Sequence, residues 1–268
     1  MSIGLFSLGC ASTPEVPQGA RMGPFVYAEH EDSVRTQYDL LRPAQQGTVP
    51  AIILLHGGGW TGGEPEQMER FAPAILRAGW AVINAGYRLA PAHVWPDQRD
   101  DLHALLQDIN QRADELGVDP ERLAIMGYSA GAHLALVAGA QPNPRVPRPA
   151  ALLLGAGPFD LRGYDSSPLV HKLLGGPPSI AGRGVYEDAS PLLNVDGHTP
   201  PSYLWHGTWD LTVSIDQSRA LAAALEDADV PVIIRERFGR GHISNFLIDD
   251  GEWAAMEAFL RPILAPAP

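Results

Sequence analysis

The chain has 268 residues, 45% of them hydrophobic and 19% charged, with a formal net charge of -12 at pH 7. That is enough apolar material for a substantial core and too little charge for a disordered chain, and the acidic balance argues against nucleic acid or an anionic membrane as partner. The single cysteine, Cys10, excludes an internal disulfide framework and a cysteine-based metal site, and no apolar run is long enough to cross a bilayer as a helix.

Residues 1–23 read as a flexible leader. Within it, Leu5-Phe6-Ser7-Leu8-Gly9-Cys10-Ala11 resembles the end of a bacterial lipoprotein signal, where a cysteine after a small residue is lipidated. Ser7 and Leu8 depart from that pattern, and a basic start is missing. Two readings stand: a leader on a cytoplasmic protein, or a truncated signal with a lipid anchor at Cys10 and a cell-envelope location. The Pro-, Gly- and Ser-rich stretch 11–23 serves as a tether in either.

Residues 24–268 are expected to form one domain. Stretches 25–29 and 34–41 read as two early strands, paired antiparallel at an edge. Ala51-Ile52-Ile53-Leu54-Leu55 is a continuous apolar strand. Residues 66–78 have helical spacing and stop before Gly79. Residues 80–87 are a second buried strand, and 97–116 a long amphipathic helix with Leu102, Leu105, Leu106 and Ile109 inward. Residues 122–126 form a strand, 130–140 a buried helix and 150–154 another strand. Residues 158–200 are rich in Gly and Pro and read as irregular, with one short helix near 169–174; so long an interruption is expected to cover a site. Strands at 202–205 and 232–235, with helices at 217–227 and 250–260, complete an alternation that predicts a mostly parallel sheet covered on both faces.

The stretch Gly127-Tyr128-Ser129-Ala130-Gly131 fits Gly-x-Ser-x-Gly, which sets a serine on a sharp turn between strand and helix. The pentapeptide alone is a weak signal, so partners must be found. A hydroxyl is a poor nucleophile until a base takes its proton, and the resulting imidazolium needs a carboxylate. Asp210 and His242 follow in that order, each just past a predicted strand end, the edge from which Ser129 must emerge. His206 is expected to hydrogen-bond locally, His133 to pack beneath the turn, and His171 and His198 to be exposed. Asp216 is expected to start a helix and Asp160 to sit in a turn. The strand at 51–55 runs into His56-Gly57-Gly58-Gly59-Trp60, where glycines let the main chain approach a developing oxyanion. Gly58, Gly59 and Ala130 are the expected donors.

These motifs, with Tyr87-Arg88-Leu89-Ala90-Pro91, Ala189-Ser190-Pro191 and His206-Gly207-Thr208-Trp209-Asp210, resemble the α/β-hydrolase carboxylesterases of the hormone-sensitive-lipase-like type. The resemblance implies an α/β-hydrolase fold and a cofactor-free, metal-free hydrolysis of a small-molecule ester through an acyl-serine, with Arg88 and Asp97 structural. Few residues precede the first strands, so little or no N-terminal cap is expected, which favours short, soluble esters. Trp60, Tyr128 and Phe159, with Leu169 and Tyr186, are candidate pocket residues. A histidine base near pKa 6.5 would lose activity below about pH 6. The runner-up is an arylformamidase-like amide hydrolase of the N-formylkynurenine type, and the non-enzymatic rival a hydrolase fold used only for binding.

Overall fold

The computed structural model describes residues 21–30, 35–45 and 47–265. Cys10 and the signal-like segment around it lie outside the described residues, as does Val34 of the second expected strand. In chain order, β1 (Arg21–Val26), β2 (Gln37–Leu41) and β3 (Val49–Leu55) lead through a 3-10 turn (Pro65–Phe71) into α1 (Ala72–Arg77) and β4 (Ala81–Ala85). There follow α2 (Asp97–Gln111), α3 (Ala113–Leu116), β5 (Val118–Tyr128), α4 (Ala130–Ala140) and β6 (Ala151–Gly155). Three short helices, α5 (Pro168–Leu174), α6 (Pro178–Ala181) and α7 (Arg183–Asp188), precede β7 (Ser202–Gly207), α8 (Asp216–Asp227), β8 (Val232–Arg237), α9 (His242–Leu247) and α10 (Glu252–Ile263).

The strands form one sheet of eight in the order β1-β2-β4-β3-β5-β6-β7-β8. The pairs β1–β2 and β2–β4 are antiparallel and all the others parallel. The antiparallel edge was expected from the two early strands. Every residue of β3, β4 and β6 is buried, which is why these segments read as unbroken apolar runs rather than alternating ones. Two clusters of side chains fill the space on either side of the sheet. One holds Leu102, Leu105 and Ile109 of α2 with Leu134 and Leu136 of α4; the other holds Ile75, Leu76, Met256 and Leu260.

The structure revises several boundaries. The first strand is Arg21–Val26 rather than 25–29, with Arg21 paired to Leu41 and Phe25 to Tyr38, so the ordered sheet reaches into the expected leader. The single helix expected over 66–78 is a 3-10 turn followed by α1. Pro73 has no N–H and its ring would meet the carbonyl of residue 69 in a continuous α-helix; instead Glu69 O takes the i+3 bond from the Ala72 amide. The long helix over 97–116 breaks at Arg112, which leaves helical geometry (φ -98°, ψ 11°) before α3 closes on Gly117 in the left-handed region. The stretch 158–200 is not irregular but mostly short helices. Pro168, Pro178 and Pro191 each stand in the first turn of a helical segment, and Gly175 and Gly182 end two of them. This is the usual placement of Pro at helix starts and Gly at helix ends.

Candidate active site

Strand β5 ends at Tyr128 and α4 begins at Ala130, leaving Ser129 as the only residue between them. Ser129 has φ 54° and ψ -118°, a conformation that costs a non-glycine residue roughly 1–3 kcal/mol and persists only where surrounding structure enforces it. Here the enforcement is close packing. A Cβ on Gly131 would stand 2.1 Å from Leu55 O, and one on Gly127 would stand 2.1 Å from Gly131 O. The Ser129 amide donates to Gly155 O at 2.7 Å, pinning the turn to β6. The small residues of the pentapeptide are therefore what lets strand, turn and helix approach so closely.

Asp210 follows β7 and His242 opens α9 after β8, as the strand-end reading expected. His242 Nδ1 donates to Asp210 Oδ2 at 2.6 Å, which leaves Nε2 directed elsewhere. Asp210 is nearly fully buried, and its Oδ1 accepts from the amides of Thr212 (2.8 Å) and Val213 (2.9 Å). Burial works to raise the carboxyl. Hydrogen bonds from His206 and His242 and from the Val213 amide outweigh it and hold Asp210 well below the usual carboxylate range.

His206 does hydrogen-bond locally, and it does more than that. Its Nε2 lies 3.0 Å from Val213 O and 3.2 Å from Asp210 Oδ2, and its Nδ1 lies 2.8 Å from Ser218 Oγ. Two acceptors at Nε2 place the proton there, so Ser218 donates to Nδ1 and the ring is a second donor to the carboxylate beside His242. Asp210 Oδ2 is thus shared by two imidazoles.

The main chain of His242 is held as well. Tyr128 donates from its hydroxyl to His242 O at 2.6 Å and accepts from Asn245 Nδ2 at 3.0 Å. Burial pushes the Tyr128 phenol up, so it remains a donor. Arg237, at the end of β8, donates to Asn245 O (2.8 Å) and Ile248 O (2.6 Å), fixing α9 to the sheet.

The glycine loop after β3 carries three consecutive residues at positive φ: Gly58 (115°), Gly59 (59°) and Trp60 (58°). A Cβ on Gly58 would fall 2.1 Å from Gly62 O, so the loop curls onto itself only with glycine there. His56 stacks on Tyr87 at 4.3 Å and donates from Nδ1 to Gly57 O at 2.7 Å. Burial lowers its pKa and keeps it neutral. His133, expected to pack beneath the Ser129 turn, is buried one turn into α4 with its amide on Ser129 O, while its ring accepts from Trp60 Nε1 of the glycine loop (3.3 Å) and donates to Ala189 O (2.8 Å); burial lowers it to about 4.

Ser129, Ala130, His242, Gly58 and Gly59 all line one cleft of about 830 Å³. Trp60, Tyr128 and Leu169 also face it, joined by Pro158, Val170, Val213 and Phe246. Phe159 and Tyr186, expected in the pocket, do not line it: both are buried in the core, and Pro158 and Tyr164 face the cleft from that segment instead. Arg88 is structural as expected, although its main partner is Asp101 (Nε to Oδ1, 2.8 Å), with Asp97 at 3.3 Å. Asp160 caps a turn and Asp216 starts α8. No group of His, Cys, Asp and Glu suited to a metal ion occurs among the described residues, and none of their helices is long and apolar enough to cross a membrane.

An elbow serine at the carboxyl edge of a mostly parallel sheet, with a Ser-Asp-His chain order, defines the α/β-hydrolase fold. Solved structures agree. A truncated carbohydrate esterase from gut microbiota superposes with a TM-score of 0.84 at 22% identity, over 93% of this chain and 98% of that one. The apo form of Thermogutta terrifontis esterase 2 does so with a TM-score of 0.75 at 25% identity, over 95% and 98%. More particularly, residues 38–225 match the BD-FAE family model, and the chain belongs to that family. The match includes Ser129 and Asp210 and ends before His242. The probable carboxylic ester hydrolase LipM of Mycobacterium tuberculosis is 30% identical over 207 residues, 71% of this chain and 48% of that protein. Esterase LipQ of the same organism is 27% identical over 209 residues, 72% of this chain and 50% of LipQ. The chain thus spans about half the length of these curated relatives.

Proposed function

We propose that the protein is a serine hydrolase that cleaves short-chain carboxylic esters through an acyl-enzyme on Ser129. The observation that carries this reading is the strained elbow serine sharing a cleft with a histidine whose Nδ1 is 2.6 Å from a buried carboxylate. Asp210 is held ionised and His242 is held with its proton on Nδ1, so Nε2 is the nitrogen free to take the Ser129 proton. Ser129 then attacks the ester carbonyl. The amides of Gly58, Gly59 and Ala130 are assigned to the oxyanion, the last at the N-terminus of α4, where the helix dipole favours negative charge. His242 returns the proton to the leaving alcohol, and water activated in the same way releases the acid. The resemblance to LipM and LipQ, named as a carboxylic ester hydrolase and an esterase, supports ester over formamide substrates.

The test is hydrolysis of 4-nitrophenyl acetate and butyrate beside N-formylkynurenine, by the protein and by its Ser129→Ala variant. Ester turnover lost in a variant that still folds is the expected result. Faster cleavage of the formamide would move the assignment to amides, and equal ester turnover by both proteins would remove Ser129 from the reaction.

A further inference from the structure

The side chains that line the cleft are mostly apolar apart from the reacting groups, a few hydroxyls, the Gln67 amide and one charge. Among the described residues that line it, Arg70 is the one side chain with a permanent charge. Its guanidinium is held in place. It lies over the rings of Phe71 (5.4 Å) and Phe246 (5.2 Å) and donates from Nη2 to Leu247 O at 2.6 Å. It has no carboxylate partner among the described residues, and one of its N–H groups accounts for the single hydrogen bond made. The residue is exposed, and it stands between this cleft and a smaller pocket lined by Phe71, Phe246 and Trp253.

An arginine so placed is unusual in purpose. Stacking on two rings and bonding a carbonyl at the end of α9 orient the guanidinium without neutralising it. A fixed fork of donors matches the two oxygens of a carboxylate. The wall from the reacting histidine to this charge is continuous and aromatic: His242 to Tyr128 (5.3 Å), Tyr128 to Phe246 (4.8 Å), Phe246 to the Arg70 guanidinium (5.2 Å). The rest of the molecule repels anions, given its net charge of -12. A lone positive charge at the cleft therefore discriminates among substrates, because it offsets a penalty that an anionic ester would otherwise meet.

Resting on the esterase reading above, we propose that Arg70 forms an anion subsite, and that the substrate class is esters whose acyl or alcohol part ends, beyond an apolar spacer, in a carboxylate. Phe246 and Leu247 contact the spacer and Arg70 the carboxylate.

The experiment compares pairs of esters that are alike except that one ends in a carboxylate and the other in the carboxamide. One pair is varied on the acyl side (the mono-4-nitrophenyl ester of adipic acid and its monoamide) and one on the alcohol side (4-carboxyphenyl and 4-carbamoylphenyl acetate). For the pair with the charge on the correct side, kcat/KM for the carboxylate exceeds that for the carboxamide by about three- to tenfold at low salt, mainly through KM. The ratio collapses in about 0.5 M salt, and it falls below one in Arg70→Gln. A ratio at or below one for both pairs, or a ratio unchanged in Arg70→Gln, overturns the proposal. Binding of adipate to the Ser129→Ala variant, followed by ligand-detected NMR, reads the subsite without turnover. Adipate bound by Ser129→Ala but not when Arg70→Gln is added to it, with no ester cleaved by the parent protein, would sink the esterase reading and leave the anion subsite standing. Neutral esters cleaved with no adipate bound would do the reverse.

Discussion

At the scale of single residues, the arrangement turns on one shared oxygen. Asp210 Oδ2 lies 2.6 Å from His242 and 3.2 Å from His206, while Oδ1 is spent on two backbone amides. Replacing His206 with Gln exchanges a fixed ring for a flexible amide and so weakens the brace without touching the cleft, since His206 does not line it. We expect kcat to fall about ten- to a hundredfold with little change in KM, measured by steady-state kinetics on one neutral ester; a matching rise in KM would contradict a purely positioning role. Ser129→Ala is expected to reduce kcat at least about a thousandfold and to leave the circular dichroism spectrum unchanged. The three residues Ser129, Asp210 and His242 were legible in the sequence because each follows an apolar strand run, and parallel strands deliver their carboxyl ends to one edge. The brace by His206 was not, since a contact between residues four apart across a strand-to-turn corner depends on how the turn folds. Arg70 was invisible for a stronger reason: its anchor, Leu247 O, is 177 residues away in the chain.

At the scale of elements, close approach around Ser129 is the controlling feature. Gly131→Ala puts a methyl 2.1 Å from the main-chain oxygen of Leu55, a backbone atom at the carboxyl end of β3 rather than the tip of a flexible side chain. A loss of about 3 kcal/mol is expected, read as a lowered urea midpoint, together with loss of activity as the elbow opens. The helix 130–140 was placed to the residue from sequence, because its apolar residues are hemmed between the elbow and Gln141. The segment 158–200 was misread, since high Gly and Pro content looks like loop when counted and like a series of short capped helices when positions are taken one at a time. Ser167, which accepts from the Val170 amide, with Pro168 after it and Gly175 at the end, was a readable signature of α5. Phe159 illustrates the opposite limit: an aromatic residue in a connecting segment has no periodicity to say whether it faces the cleft or the core.

At the scale of the whole molecule, the buried histidines tie stability to pH. His133 titrates near 4 when folded against an ordinary value of 6.5. The unfolded chain therefore binds a proton in this window that the native state refuses, so stability falls as pH drops from about 6.5 to about 4. His56, lowered by burial, acts in the same direction. Asp210 stays ionised in the folded protein across this range, but its unfolded carboxyl begins to take up protons below about pH 5, so it adds to the decline at the acid end of the window. The share of His133 is on the order of 3 kcal/mol. Thermal unfolding measured across this range should show the decline, and His133→Gln, which keeps a donor and an acceptor without a titrating ring, should flatten it. The central claim is that Ser129 is an activated nucleophile, and the most direct measurement is intact mass after treatment with a fluorophosphonate, followed by peptide mapping. The account predicts a single adduct, on Ser129, absent from Ser129→Ala and slowed in His206→Gln. An unmodified folded protein, or an adduct on another residue, would contradict it.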